Sequence, residues 1–240
     1  MNLRKWFKRT RSSLDRHTVA VFGAGKKGGY PWGTGILIDF KGIPIVLTCY
    51  HVVNLFSGPI FITKGRFSYQ RGPLHERVFS DARRDWACLV LRDRDLGPEK
   101  EFIRADEVLL ESVDTNEVVL VYGFPVGHPK LQTGGEIDPA ASTARFRSLT
   151  YLSLTEMPMQ NPELRLTQPR IEWNMFGNVD FKSFQKLPRD LSPEERGGFS
   201  GGPVFLQKSL RLIGQVTHAS PAMLWYNPIA ELFRELDKVL

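Results

Sequence analysis

Gly198-Phe199-Ser200-Gly201-Gly202-Pro203 sets a serine among three glycines and a proline. A hydroxyl on such a turn is exposed for nucleophilic attack, and the glycines leave backbone N–H groups free to meet a developing oxyanion. At average residue usage, five specified residues at one place arise by chance about once in a million. The same composition also serves a plain turn between strands. A nucleophilic serine needs a base, and His51 closes the run Ile43-Pro44-Ile45-Val46-Leu47-Thr48-Cys49-Tyr50-His51, just beyond what reads as a buried strand. An imidazole, with an unperturbed pKa of about 6.5, takes and returns a proton near neutrality. Asp85 stands at the mouth of the apolar run Trp86-Ala87-Cys88-Leu89-Val90-Leu91, where a carboxylate is placed to be partly buried and to orient an imidazole. Taken singly, the histidine also reads as a satisfied core residue and the aspartate as a surface residue opening a strand.

Two other patterns point elsewhere and fail. Gly23-Ala24-Gly25-Lys26-Lys27-Gly28 spells a dinucleotide fingerprint, with Asp39 at a plausible distance for a ribose contact. That fingerprint requires a helix to begin on the glycines, and Gly29-Tyr30-Pro31-Trp32-Gly33-Thr34-Gly35 does not supply one. The segment reads as a loop between strands. Cys49 and Cys88 have neither CxxC nor Cys/His ligand spacing, so free, buried thiols are expected, with no metal and no cofactor.

The elements that must position these residues read as short strands. Runs rich in β-branched and aromatic residues, each bounded by Gly, Pro or Asp, cover 17–22, 35–39, 43–49, 60–63, 86–91, 118–122, 171–173, 204–206, 210–217 and 222–226. Many short strands with few helical periods predict an all-β sandwich or barrel. Leu3, Trp6, Phe7 and Leu14 recur at roughly helical spacing among basic residues, which predicts a short amphipathic helix over 2–15. Ile229, Leu232, Phe233 and Leu236 share one helical face behind Pro228, which predicts a C-terminal helix. The stretch from about 127 to 198, with its Gly134-Gly135 pair and a charged cluster at 188–196, predicts long excursions between strands.

With 240 residues, 42% hydrophobic and 24% charged, the chain has material for one large or two small domains, and disorder, collagen and coiled coil fit the composition poorly. The formal charge of +6 suggests nucleic acid or membrane until it is located. Residues 1–16 carry six basic side chains against Asp15 alone, whereas the remaining 224 residues carry 26 basic and 25 acidic ones. The charge therefore belongs to a short lead, expected to contact a protein partner or an anionic surface, with no specific nucleic acid. No apolar stretch approaches the ~20 residues of a membrane span, the start lacks a secretory h-region, and a cytoplasmic setting is expected.

Together these residues make the sequence similar to the trypsin-like serine peptidases of the chymotrypsin fold. Thr48-Cys49-Tyr50-His51-Val52 resembles the family's histidine motif, Asp85-Trp86-Ala87-Cys88-Leu89 its aspartate motif and 198–203 its serine motif. The order His, Asp, Ser is that of chymotrypsin. Separations of 34 and 115 residues suit the family, and Gly123-Phe124-Pro125-Val126-Gly127 looks like the Gly-aromatic-Pro turn of bacterial members. The resemblance, over roughly 17–228, implies two packed antiparallel β-barrels: residues 17–105 with His51 and Asp85, and 106–240 with Ser200 and the terminal helix. It implies a serine endopeptidase acting on polypeptides through His51, Asp85 and Ser200, with the N–H groups of Gly198 and Ser200 as oxyanion hole. Glu194 matches the place of trypsin's pocket acid, which favours a basic side chain before the scissile bond. Thr217, His218 and Ala219 look like the strand that pairs with substrate, and His218 in the primary pocket favours an acidic or polar group. Phe199 stands where the family has Asp or Asn, so activation by a freed N-terminus is not expected; the chain resembles the disulfide-free intracellular bacterial branch. A degenerate module that binds a peptide or protein partner by strand addition is the alternative.

Overall fold

Buried β-branched runs become the central strands of two sheets in the computed structural model. It describes residues 10, 13–28, 30–64, 68–69, 75–92, 94, 96–125, 135–138, 143–146, 149–161, 163–172, 178–180, 185–186, 198–219 and 223–240. The first sheet has the order β6-β7-β3-β2-β1-β4-β5-β10-β9. Its strands are β1 (Thr18–Gly25), β2 (Trp32–Phe40), β3 (Ile43–Thr48), β4 (Phe56–Lys64), β5 (Ser68–Tyr69), β6 (His75–Asp81), β7 (Trp86–Leu91), β9 (Gly135–Asp138) and β10 (Thr143–Phe146). The second sheet has the order β12-β17-β16-β15-β8-β11-β13-β14, and a further pairing of β12 with β11 closes six of its strands into a ring. These strands are β8 (Val118–Gly123), β11 (Leu149–Gln160), β12 (Thr167–Glu172), β13 (Asn178–Asp180), β14 (Gln185–Lys186), β15 (Pro203–Leu206), β16 (Leu212–Ala219) and β17 (Met223–Pro228). The architecture is all-β and chymotrypsin-like, as the sequence leads one to expect. Between β9 and β10 and the strands before and after them the chain crosses sheets: β10 pairs with β5 of the first sheet.

The glycine pattern at 23–28 lies in the β1–β2 hairpin, where Trp32 to Ile36 pair antiparallel with Phe22 to Thr18, so no helix starts there. Two helices bear on the site. The first, α1 (Tyr50–Asn54), follows β3; the second, α2 (Ile229–Val239), buries Ile229, Leu232 and Leu236. Full burial of each such side chain contributes about 1.5–3 kcal/mol. The outer side of α2 meets the first barrel, where Phe233 packs edge-on to Phe40 at 5.1 Å and Arg84 Nη1 donates to Glu231 Oε2 at 3.0 Å. One hydrophobic cluster runs through the seam, joining Ile36, Ile38, Leu47 and Trp86 of the first barrel to Leu120, Tyr122, Phe205 and Leu212 of the second and to α2.

Leu14 belongs to that same cluster. Of the predicted N-terminal helix over 2–15, residues 10 and 13–15 are helical, and residues 1–9, 11 and 12 lie outside the described residues. Tyr122 Oη donates to Asp15 Oδ1 at 2.7 Å, and Lys100 Nζ donates to the carbonyls of Asp15 and Thr18. The end of the basic lead is thus fastened to the protein's own seam.

His17 adds a pH dependence there. Its Nδ1 donates to Glu101 O at 3.0 Å, with Nε2 3.9 Å from Glu107 Oε1. Burial lowers its pKa below the ordinary imidazole value, against the opposing pull of the Glu101 carbonyl and Glu107. The unfolded chain therefore takes up this proton first as pH falls. The stability that neutral His17 supplies is full above the ordinary imidazole range and drains away below it. His17→Gln is expected to show a smaller drop in urea midpoint from about pH 8 to about pH 5 than the wild type. Equal drops would remove His17 from the account.

Candidate active site

Asp85 ends the four-residue connection from β6 to β7, whose register pairs Asp81 with Trp86. Asp81 Oδ1 accepts the N–H of Arg83 at 2.7 Å and shapes the turn. Asp85 itself takes a φ of +53°, a left-handed conformation that Asp tolerates better than most residues. This turn points its carboxylate inward, leaving Asp85 only 5% exposed. One oxygen, Oδ1, accepts the backbone N–H of His51 at 2.9 Å; the other, Oδ2, lies 2.7 Å from His51 Nδ1. With the carboxylate as acceptor, Nδ1 carries the proton and Nε2 presents its lone pair. The His51 side chain is 47% exposed.

Cys49 lies beside the same carboxylate. Its fully buried thiol donates to Val216 O at 3.1 Å. Burial, reinforced by the negative charge of Asp85, pushes the thiol pKa well above its ordinary value, which keeps it protonated and unreactive. Burial alone pushes the Cys88 thiol up to about 12. The donor atoms of Cys49, His51 and Asp85 lie within 4.8 Å of one another. Nδ1 and Oδ2 at 2.7 Å are bridged by a proton, and two ligands of a tetrahedral zinc would stand ~3.3 Å apart. The cluster has the geometry of a hydrogen-bonded core.

Ser200 rests on a turn wedged between both barrels. Gly201 has a φ of +84°, and a Cβ there would sit 2.0 Å from Thr34 O and 2.5 Å from Thr48 Oγ1. At Gly198 a Cβ would fall 1.8 Å from Phe124 O. These contacts explain the glycines of the serine motif. The Gly201 N–H donates to Val216 O, the carbonyl that also receives the Cys49 thiol. Gly33 lies against both Val52, the neighbour of His51, and the Ser200 carbonyl. The serine turn and α1 are therefore adjacent. Among the described residues Ser200 Oγ forms no hydrogen bond with His51; such catalytic bonds commonly tighten only with substrate in place.

Phe199 is fully buried among Val119, Val121, Val204, Val216 and Tyr226 in the core of the second barrel. It anchors the turn by apolar packing. The Gly123-Phe124-Pro125 segment is the wall behind it: a Cβ on Gly123 would meet the Phe199 ring at 2.8 Å.

Thr34 is the residue that motif reading overlooked. Fully buried on β2, it donates through Oγ1 to Gly198 O at 2.6 Å and through N–H to Ser200 O at 2.9 Å. Phe124 N donates to Thr34 Oγ1 at 3.2 Å, and Thr48 Oγ1 to Thr34 O at 2.7 Å. Both residues expected to supply oxyanion N–H groups are thus gripped by their carbonyls from one side chain and its backbone. Of the expected substrate residues, Thr217 is buried with its hydroxyl on Trp225 O at 3.2 Å. Ala219 ends β16, and His218 stands half-buried beside it. Glu194 lies outside the described residues.

Comparison with known proteins follows the same lines. The profile of the trypsin-like peptidase domain matches residues 33–214, which include His51, Asp85 and Ser200. The chain belongs to the trypsin-like peptidase family. No curated protein matches it. Among solved structures, the active form of the Rv3671c protease from M. tuberculosis superposes with a TM-score of 0.58 at 18% identity, covering 96% of this chain and 83% of that one. HL collagenase gives 0.60 at 16%, covering 95% and 94%. The scabies mite inactivated protease paralogue S-I1 gives 0.57 at 16%, covering 95% of each. Active and inactivated proteins share this trypsin-like fold, so side chains must decide the chemistry.

Proposed function

We propose that this trypsin-like peptidase is a serine endopeptidase that cleaves polypeptides through an acyl-enzyme. The observation that carries the proposal is the two-oxygen grip of Asp85 on His51 beside a glycine turn that holds Ser200. In the reaction, Ser200 Oγ attacks the scissile carbonyl while His51 Nε2 takes its proton. The carbonyl oxygen becomes an oxyanion, met by the N–H groups of Gly198 and Ser200. His51 then protonates the departing amine, and a water activated by the same nitrogen releases the acyl group. Asp85 holds the tautomer throughout and stabilises the imidazolium. A cytoplasmic setting, and a basic lead that contacts a protein partner or an anionic surface, belong to the same proposal.

The open Ser200–His51 contact favours one alternative, a module that binds a peptide without cutting it. A fluorophosphonate probe separates the two, because it phosphonylates only an activated serine. The wild type is expected to take up one probe per chain, on Ser200 by peptide mapping, and Ser200→Ala none. Wild-type labelling no faster than that of Ser200→Ala would leave the binding module standing.

A further inference from the structure

A second imidazole and carboxylate meet beside the first. The register of β16 against β17 slips between Val216, which faces Tyr226, and His218, which faces Trp225, so Thr217 is the extra residue of a bulge. Bulges re-aim side chains and are frequent next to active sites. Here the His218 ring lies tilted against Trp225 with centroids 5.6 Å apart, within electrostatic reach of His51 and Asp85. Its Nδ1 is 3.1 Å from Glu163 Oε2.

Glu163 is itself largely exposed, yet the turn that carries it is built from the inside. Asn161, fully buried after β11, accepts the N–H groups of Glu163 at 2.9 Å and Leu164 at 3.2 Å through Oδ1. Its Nδ2 donates to Gln168 Oε1 at 2.7 Å, Gln168 Nε2 donates to Asn227 Oδ1 at 2.6 Å, and Asn227 Nδ2 donates to Arg84 O at 2.8 Å. Arg84 is the residue before Asp85. Buried amides are costly unless every partner is present, and this relay is closed from end to end. It fixes an exposed carboxylate relative to the peptide that positions Asp85, which is more than a surface turn needs.

The charge of the pair follows from its surroundings. Burial lowers the His218 pKa, against the pull of Glu163, so near neutrality the ring is uncharged and the pair keeps a carboxylate's negative charge. Glu163 Oε1 has no partner among the described residues. We propose that Glu163, seated on His218 at the edge of the cleft, is the specificity residue of a subsite for a positively charged substrate side chain preceding the scissile bond. His218 read alone favours an acidic or polar group; with Glu163 opposite it, the sign of the field reverses. The subsite presupposes that β16 receives the substrate, as the proposed peptidase requires.

Cleavage of a peptide library by the wild type is expected to enrich Lys or Arg about tenfold over norleucine at one position before the scissile bond, the scale of one charge-assisted contact. Glu163→Gln should abolish most of that enrichment and Glu163→Lys should turn it toward Asp and Glu, while fluorophosphonate labelling of Ser200 stays equal in all three. A library without basic enrichment, or with enrichment that survives Glu163→Gln, overturns the subsite. Should none of the proteins react with the probe, the peptidase reading fails separately. Anisotropy of fluorescent lysine and norleucine peptides on the same three proteins then decides: a lysine advantage that disappears in Glu163→Gln upholds the subsite, and equal binding refutes it.

Discussion

Asp85→Asn is expected to lower kcat by about 10⁴-fold while leaving the fold and KM nearly unchanged. Asparagine tolerates the left-handed φ of +53° as aspartate does, so the turn into β7 survives. The hydrogen bonding does not. Asp85 receives two N–H groups from His51, one on each oxygen. An amide has one oxygen and one NH2. If its oxygen keeps the backbone N–H of His51, its NH2 faces Nδ1 and forces the proton onto Nε2. The imidazole then presents a donor to Ser200 where it needs a lone pair, and proton abstraction stops. Active-site-normalised kinetics on a cleaved peptide, with thermal unfolding as the control for folding, measures the effect. A loss smaller than about tenfold would mean that this histidine works without its carboxylate, or does not work as the base.

The strands that the sequence makes plain are those whose buried positions are apolar. β7, β8 and β15 are apolar throughout their buried residues, and β3 departs from this only at Thr48. β11 escapes such a reading because Thr150, Ser153 and Thr155 are buried while Met157 and Met159 are exposed, so its polarity runs against the pattern. β6 escapes because Arg77, Val78 and Ser80 face solvent at the edge of its sheet. α1 is too short to show a helical period, although it carries His51. Within the site, the chemistry of acyl transfer restricts His51, Asp85 and Ser200 to a few residue types, and their neighbours form motifs. Thr34 and Glu163 carry no such mark. Their partners lie 164 and 55 residues away, at Gly198 and His218, and only folding brings them together. Phe199 shows the reverse case: a residue that breaks the family pattern in sequence is explained once the apolar core around it is seen.

Thr34→Val removes one hydroxyl and keeps the shape, and it is expected to lower kcat by about 10²–10³-fold, the cost of losing an oxyanion donor. The hydroxyl holds Gly198 O at 2.6 Å and receives Phe124 N at 3.2 Å. Valine removes the bond that the Gly198 carbonyl accepts and the one that the Phe124 N–H donates inside a fully buried site, where each loss is costly. Gly198 is then no longer held at its carbonyl, and its N–H, on the preceding peptide, loses the position where the oxyanion forms. The Thr34 backbone bonds to Ser200 O and from Thr48 Oγ1 persist, so the serine stays in place and KM changes little. Thr34→Ser restores the hydroxyl without the methyl group. Rescue of kcat to within about fivefold of wild type by serine, with no rescue by valine, assigns the effect to the hydrogen bond rather than to packing. If both variants lose activity equally, the hydroxyl and the methyl group are both needed to hold the turn. If both retain it, the oxyanion site is organised without the Thr34 side chain, by the burial of Phe199 together with the backbone bonds from Thr34 N–H to Ser200 O and from Gly201 N–H to Val216 O.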